Sequence, residues 1–305
     1  MKPTQRAWRW PYLGIGLAWG CSFLFIKESL GFLTPFGVAF ARCALGATTL
    51  FVILRLRRLG LPRQRQVWLH LGVNALCLNV VPGVLFAVAE TRTTSLLAGI
   101  INALTPLTSL FFIALVFRDD PVSPSQTGGL ILGLVGVCVV LGLWHGIGSN
   151  PWWAIAALLF SVTLYGFSFP YTRRYLSPLG LAPVSLASAQ LLMASALLAP
   201  TFVVDGLKGS APTLRAGMSV LALGVVGSGL AFFWNFRVIA TAGSQVASTV
   251  TYLTPIVAVV VGVSLLHESL QWNQPVGGLV VLVGAALGQG RLSIPKRFAA
   301  ASRPS

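Results

Sequence analysis

Leu104-Thr105-Pro106 recurs 149 positions later as Leu253-Thr254-Pro255, and this repeated stretch decides the fold. Further equivalent pairs at the same offset are Ser95 and Ser244, Ala98 and Ala247, Asp119 and Glu268, and Gly128 and Gly277. The chain is therefore an internal duplication. Because both copies lie in apolar segments, the pattern is typical of a secondary transporter whose site lies between its halves.

The composition places this chain in a lipid bilayer. Of its 305 residues, 55% are hydrophobic and 9% charged, and the mean hydropathy is +0.82. These values exclude a water-soluble globule. A membrane-spanning helix needs about 20 mostly apolar residues. Ten segments meet that need and predict an all-α integral membrane protein: 10–28, 34–54, 67–89, 93–117, 124–144, 152–171, 182–204, 215–239, 243–266 and 273–292.

The net charge is +15, and the distribution of the basic residues along the chain indicates membrane topology and not nucleic-acid binding. With a cytoplasmic N-terminus, sixteen of the 21 basic residues fall in cytoplasmic segments. The opposite side holds Lys27, Arg92, Lys208 and Arg215, and Arg42 lies within a helix. The positive-inside rule thus predicts two cytoplasmic termini. Since the first helix then starts inside and the sixth outside, the five-helix halves 1–148 and 149–292 are inverted repeats, followed by a cytoplasmic tail, 293–305.

Several short motifs, taken in order, carry a family resemblance. In the first half they are Trp19-Gly20-x-x-Phe23, Ala41-Arg42, Asn102-Ala103-Leu104-Thr105-Pro106 and the helix that opens at Gly128. In the second half they are Tyr165-Gly166-Phe167-Ser168-Phe169, Thr251-Tyr252-Leu253-Thr254-Pro255, His267-Glu268 and the helix that opens at Gly277. Over nearly its whole length the chain resembles the EamA-type transporters of the drug/metabolite transporter superfamily. The resemblance implies two inverted five-helix repeats around a central cavity, with alternating access.

Candidate substrate-binding residues lie on helices that the resemblance places around that cavity. They are Trp19, Asn102, Tyr165, Asn235, Gln245 and Tyr252. For the aromatic residues, interfacial belts or core packing are the alternative. Arg42 is either an anion contact or gate in an aqueous vestibule, or a structural or snorkelling arginine. The equivalent place in the second half holds the neutral Gln190, which is its candidate gating counterpart.

Pro106 and Pro255 add a physical argument. Proline removes the hydrogen bond to the carbonyl four residues earlier, which here belongs to Asn102 and Thr251. Each helix would then present a freed carbonyl and a polar side chain near mid-membrane, where irregular backbone lines a cavity or contacts a protein neighbour. We interpret both sites as cavity-lining helix breaks. Plain kinks, re-satisfied by Thr and Asn side chains, remain the alternative.

Other features point to packing and not to chemistry. Glycines predict close packing of the fifth and tenth helices, or alternatively a homodimer seam; they are Gly129, Gly133, Gly136, Gly278, Gly284 and Gly288. The four cysteines lack metal-ligand spacing, so no metal, cofactor or disulfide is expected. The three histidines are scattered, and an enzyme is not expected.

The six acidic residues shape the functional prediction. They are Glu28, Glu90, Asp119, Asp120, Asp205 and Glu268, all at predicted helix ends or in loops. A proton-coupled cation pump normally buries a carboxylate, and no such group is expected here. We therefore predict a transporter of the cytoplasmic (inner) membrane for small neutral or zwitterionic metabolites such as amino acids, and the resemblance favours export. Multidrug or organic-ion efflux, an anionic substrate and a non-transporting scaffold remain open, as does the choice between a facilitator and a proton antiporter.

Overall fold

The computed structural model describes residues 8–117, 124–141 and 151–288, which are helical apart from short connections. Its helices are α1 (Arg9–Ser29), α2 (Pro35–Leu56), α3 (Arg65–Glu90), α4 (Ser95–Phe117), α5 (Pro124–Leu141), α6 (Trp152–Leu179), α7 (Pro183–Asp205), α8 (Leu214–Ala242), α9 (Val246–Leu265) and α10 (Asn273–Gly288). Seven of them, α2–α4 and α6–α9, are long and apolar enough to cross a membrane. The described residues contain no β-strand, so the all-α membrane class is confirmed.

Threonines set the starts of three helices. The hydroxyl of Thr34 accepts a hydrogen bond from the Gly37 amide at 3.1 Å at the start of α2, where Pro35 occupies the first turn. Thr94 and Thr213 cap α4 and α8 in the same way. Each cap satisfies a backbone N–H that has no partner within the helix. The observed helices therefore begin within a few residues of the predicted apolar segments.

The two halves pack in a reciprocal pattern. Helix α1 packs against α8 and α9, and α6 packs against α3 and α4. Three further contacts join equivalent helices, namely α2 with α7, α4 with α9, and α5 with α10. Each half therefore surrounds the first helix of the other half, which places both first helices at the centre of the molecule.

Helices α5 and α10 approach each other at glycines. A Cβ atom on Gly136 would lie 2.6 Å from the backbone nitrogen of Val281, and one on Gly284 would lie 2.6 Å from that of Gly133. No side chain fits at such distances, because real Cβ contacts are longer. The predicted close packing is confirmed at these glycines. At Gly278 a Cβ would make only an ordinary contact.

The bundle has two ends, named here after one residue at each. The Lys27 end contains the C-termini of α1 and α3 and the N-termini of α2 and α4, and the Arg173 end contains the C-termini of α2 and α6. Described basic residues at the Lys27 end are Lys27, Arg92, Lys208 and Arg215. Those at the Arg173 end are Arg9, Arg55, Arg57, Arg58, Arg63, Arg65, Arg173, Arg174 and Arg237. Positive charge is thus concentrated at the Arg173 end.

Candidate substrate cavity

A cavity of about 510 Å³, including its opening, lies between the two halves. Its described lining residues are Trp19, Ser22, Phe23, Ile26, Arg42, Leu78, Phe86, Asn102, Tyr165, Phe169, Phe232 and Thr251. They come from α1 to α4 and from α6, α8 and α9. A mostly apolar cavity lined by a few polar groups is typical of a small-molecule site. The structure thus brings together five of the predicted residues: Trp19, Arg42, Asn102, Tyr165 and Thr251.

Aromatic pairs form two walls of the cavity. The rings of Trp19 on α1 and Phe232 on α8 lie 5.7 Å apart, and Tyr165 on α6 stacks on Phe86 of α3 at the same separation, with 14° between the planes. The indole nitrogen of Trp19 donates to the carbonyl of Gly227 at 3.1 Å. In each pair an aromatic residue from the first helix of one half therefore meets a phenylalanine of the other half.

Glycines beside these aromatic residues determine how closely the helices approach. A Cβ on Gly20 would come within 2.4 Å of the Val257 side chain on α9, and one on Gly166 within 2.2 Å of Thr108 on α4. Thr108 and Val257 are themselves related by the repeat offset of 149 positions. The aromatic-glycine pairs Trp19-Gly20 and Tyr165-Gly166 thus have the same structural role in the two halves. The aromatic ring faces the cavity while the glycine admits the neighbouring helix.

The helix breaks at Pro106 and Pro255 differ in part from the prediction. The carbonyl of Asn102 accepts a hydrogen bond from the Thr105 hydroxyl at 2.8 Å, and that of Thr251 accepts one from Thr254 at the same distance. The freed carbonyls therefore accept hydrogen bonds from side chains of their own helices, as expected for the alternative of plain kinks. Both prolines are buried and lie outside the described cavity lining.

The side chains at the two breaks join the halves. The amide nitrogen of Asn102 donates to the hydroxyl of Thr254 at 3.1 Å, which links α4 to α9. Asn102 and Thr251 both reach the cavity wall. The breaks thus contribute polar side chains to the cavity, while their backbone carbonyls are already bonded.

Arg42 lies in the cavity wall with only 8% of its surface exposed. Its Nε donates to the hydroxyl of Ser228 at 3.1 Å. Ser228 belongs to a π-helical stretch of α8, Leu223–Leu230, which also contains the Gly227 carbonyl bonded by Trp19. Such wide turns often occur at functional sites. Because the guanidinium is buried between α2 and α8, Arg42 is not a snorkelling residue.

Gln190 lies away from the cavity in a buried amide network. Its side-chain oxygen accepts from Asn74 at 2.7 Å, and its side-chain nitrogen donates to Asn79 at 2.6 Å. A π-helical turn at Leu76–Val80 widens α3 here, so that both asparagines reach α7. Gln190 therefore links α3 and α7 in this structure, and its role as a gating counterpart of Arg42 stays a prediction.

The remaining predicted residues do not line the described cavity. Asn235 is buried on α8, and its side-chain oxygen has no hydrogen-bond partner among the described residues. Tyr252 is half-buried and packs against the apolar cluster around α4. The side chain of Gln245 lies outside the described residues. The sequence could not predict these placements, because all faces of an apolar membrane helix have a similar composition. The helix geometry determines which face is turned to the cavity.

Several residues that line the cavity are not predicted from the sequence. Phe86 and Phe232 sit in uniformly apolar runs, where a single phenylalanine gives no signal. Ser22 could have been found, because it belongs to the repeated Trp19 motif and corresponds to Ser168. Its hydroxyl bonds the carbonyl of Ala18 at 2.7 Å, which lets a polar group sit in an apolar helix.

Glu90 contradicts the expectation that no carboxylate is buried. At the C-terminus of α3 it has an exposed surface of 0%, and neither carboxylate oxygen has a hydrogen-bond partner among the described residues. A helix end within a packed bundle is not necessarily wet, because neighbouring helices can cover it. Glu28, by contrast, pairs with Arg215 at 2.8 Å and keeps partial exposure. Asp119 and Asp120 lie outside the described residues.

A helix bundle built from two repeats, with a polar and aromatic cavity between them, is typical of membrane transporters. The EamA-like transporter family matches residues 11–142 and 152–288, so the chain belongs to that family. The two matches together cover nearly the whole chain, once for each half.

Individual relatives agree with this assignment. The chain is 25% identical over 283 residues to an uncharacterized inner membrane transporter, YedA, of Escherichia coli, covering 92% of this chain and 90% of that protein. It is 25% identical to an uncharacterized transporter of Archaeoglobus fulgidus, over 90% of this chain and 96% of that one. One solved crystal structure superposes with a TM-score of 0.70 at 18% identity, over 93% of this chain and 98% of that one. The chain is therefore a multi-pass inner membrane transporter and not an enzyme.

Proposed function

We propose that this transporter exports small zwitterionic or neutral metabolites, amino acids and their derivatives foremost, by alternating access. The observation that carries the proposal is the makeup of the cavity wall. Among the described lining residues Arg42 is the one charged side chain, and the others are aromatic, aliphatic or neutral hydrogen-bonding groups. Such a wall favours a ligand with a carboxylate and disfavours a bare cation, since no described acidic residue faces the cavity.

The geometry suggests how a zwitterion would bind. The guanidinium of Arg42 uses its Nε on Ser228, which leaves its terminal nitrogens as donors for a carboxylate. The aromatic pairs Trp19–Phe232 and Tyr165–Phe86 offer ring faces for an ammonium or an apolar side chain. Asn102 and Thr251 add neutral polar groups.

We further propose that all ten helices cross the membrane, with both termini cytoplasmic and the halves 1–148 and 149–292 inverted. The concentration of basic residues at the Arg173 end supports a cytoplasmic location for that end. The reciprocal packing of α1 and α6 supports two equivalent halves around one site. The cavity is lined by residues of one chain, and the glycines of α5 and α10 pack these two helices against each other within that chain. The proposal therefore requires no partner subunit.

Efflux from proteoliposomes tests the proposed substrate class. Purified protein is reconstituted with a mixed internal pool of amino acids, and release is measured for each member. We expect selective release of some zwitterions, with Arg42→Gln raising the KM about 10- to 100-fold because one charge-assisted contact is lost. Arg55→Gln is the matched control, since Arg55 lies exposed on the same helix and contacts Phe51.

Two outcomes would contradict the proposal. Transport of lipophilic cations that is insensitive to Arg42→Gln would favour the multidrug alternative. Absence of flux for every pool member, with the protein folded and inserted, would remove amino acids as the substrate class.

A further inference from the structure

Two equivalent clamps tie the cavity-lining helices at opposite ends of the bundle. The ammonium of Lys27 at the end of α1 donates to the carbonyls of Glu90 and Thr93, at 2.7 and 2.8 Å. At the other end Arg173 of α6 donates to the carbonyl of Ile239 at 3.4 Å. Glu90 and Ile239 are related by the repeat offset of 149 positions. The two clamps are therefore counterparts, each joining the first and third helices of one half.

The Lys27 clamp lies beside the cavity wall. Ile26, next to Lys27, and Phe86, one helical turn before Glu90, both line the cavity wall. The clamp therefore joins α1 to the end of α3 next to these two lining side chains. Opening of this end, as alternating access requires, must separate Lys27 from the carbonyls of Glu90 and Thr93.

The two clamps differ in one chemical group. At the Lys27 end the clamped residue is Glu90, a fully buried carboxyl group without a hydrogen-bond partner among the described residues. At the Arg173 end the equivalent residue is the apolar Ile239. The clamped position is thus titratable at the Lys27 end and apolar at the Arg173 end.

The charges around Glu90 come from several elements. Lys27 lies on α1, Arg42 on α2 and Glu268 on the connection between α9 and α10, and all three act electrostatically on Glu90. Tyr165 of α6 also packs against α3 through Phe86. The Lys27 ammonium binds backbone carbonyls, and Arg42 bonds Ser228.

The Glu268 carboxylate is fully engaged nearby. It accepts from the Ser95 amide and hydroxyl at 2.9 Å and from the Leu96 amide at 3.0 Å, at the start of α4. Helix N-termini stabilise such anions. Both carboxylate oxygens of Glu268 therefore accept hydrogen bonds, whereas those of Glu90 have no partner among the described residues. Of these two carboxyl groups, Glu90 is the one whose charge is uncompensated by hydrogen bonds.

We propose that Glu90 is a proton-binding site that controls the gate at the Lys27 end. An ionised carboxylate is costly to bury without hydrogen bonds, whereas a neutral carboxylic acid is tolerated. The closed gate therefore holds a proton on Glu90, and opening wets the group and releases the proton to the solution on the same side. Acid at the Lys27 end favours the closed gate. Because Glu90 lies outside the described cavity lining, the proton returns to the side from which it came.

The inference rests on the proposed alternating access, but its test needs no substrate. The four native cysteines are replaced by alanine, and Ile26→Cys places one thiol on the cavity wall beside the clamp. A membrane-impermeant maleimide is applied from the Lys27 side of sealed vesicles at acid, neutral and mildly alkaline pH. Since thiol reactivity itself rises with pH, rates are divided by those of the same chain carrying Glu90→Gln, an uncharged mimic of the acid.

We expect this ratio to rise with pH, by at most about tenfold per pH unit because one proton is involved. Lys27→Met should give fast labelling at every pH, since the clamp is lost. Glu28→Gln, at the same end but partly exposed and paired with Arg215, should keep the wild-type profile.

A ratio that does not change with pH would overturn the proposal, as would loss of the profile in Glu28→Gln. Net proton movement that accompanies each substrate molecule would also overturn it, because Glu90 would then exchange protons with both sides. Failure of the amino-acid flux experiment alone would leave the labelling result intact. The two proposals can thus fail separately.

Discussion

At the scale of single residues, burial divides the polar groups of this transporter into two kinds. Gln190 is engaged on both its amide oxygen and its amide nitrogen, by Asn74 and Asn79, and links α3 to α7 away from the cavity. Arg42 bonds Ser228 through its Nε alone and still faces the cavity. A side chain engaged on both its donor and its acceptor holds helices together, whereas one with spare donors can receive a ligand.

Gln190→Leu tests this division. Removal of the amide leaves Asn74 and Asn79 without partners, which should cost about 1–3 kcal/mol per unsatisfied group. We expect a lower unfolding temperature in detergent, with the substrate KM unchanged because Gln190 lies outside the described cavity lining. A large KM change at unaltered stability would instead support the gating role predicted for this residue.

At the scale of helices, small residues decide which elements meet. Gly20 allows α1 to approach α9, Gly166 allows α6 to approach α4, and Gly136 and Gly284 allow α5 to approach α10. In a bilayer the hydrophobic effect does not drive helices together, so close backbone packing contributes much of the free energy of helix association. The repeated aromatic-glycine motif thus couples cavity lining to helix packing.

Gly20→Ala and Gly166→Ala should therefore both be destabilising. Each added methyl group meets α9 or α4 well inside contact distance, and overpacking of this kind costs about 1–3 kcal/mol. We expect a lower unfolding temperature and reduced transport in both variants. Gly217→Ala on α8 is the control, since a Cβ there meets nothing within 4 Å and alanine favours the helix. Equal behaviour of all three variants would contradict the packing role.

At the scale of the whole molecule, the duplication produces two clamps around one cavity. Reciprocal packing places α1 and α6 centrally, and each carries a cation at its end, Lys27 or Arg173, that binds a backbone carbonyl. The proposed alternating access requires only that one clamp opens while the other holds. The difference between Glu90 and Ile239 makes the two clamps chemically unequal.

The proposed orientation is testable by labelling from each side. In a cysteine-free chain, Ser210→Cys at the Lys27 end should react with an impermeant maleimide in intact cells. Gly60→Cys at the Arg173 end should react only after the membrane is opened, because basic residues hold that end in the cytoplasm. Both positions are exposed. Epitopes fused to the two termini should likewise stay protected in intact cells, and the reverse pattern would overturn the orientation.

The helical plan could be predicted from sequence because it depends on local properties. Apolar runs of membrane length, the offset between the two Leu-Thr-Pro motifs and the glycines of α5 and α10 each specify their element without knowledge of its neighbours. Repetition also helped at the cavity, since Trp19 and Tyr165 occupy matching places in the two halves.

The tertiary structure decided which polar groups are buried, bonded or left facing the cavity. The sequence places Glu90 at a helix end, yet its burial depends on the helices that cover it. Thr105 and Thr254 re-satisfy the carbonyls that the prolines free, and the widened turn of α3 directs Asn74 and Asn79 to Gln190. The apolar length of each helix follows from its own residues. Solvent access and hydrogen bonding depend on contacts between residues far apart in the chain, which the sequence pattern does not encode locally.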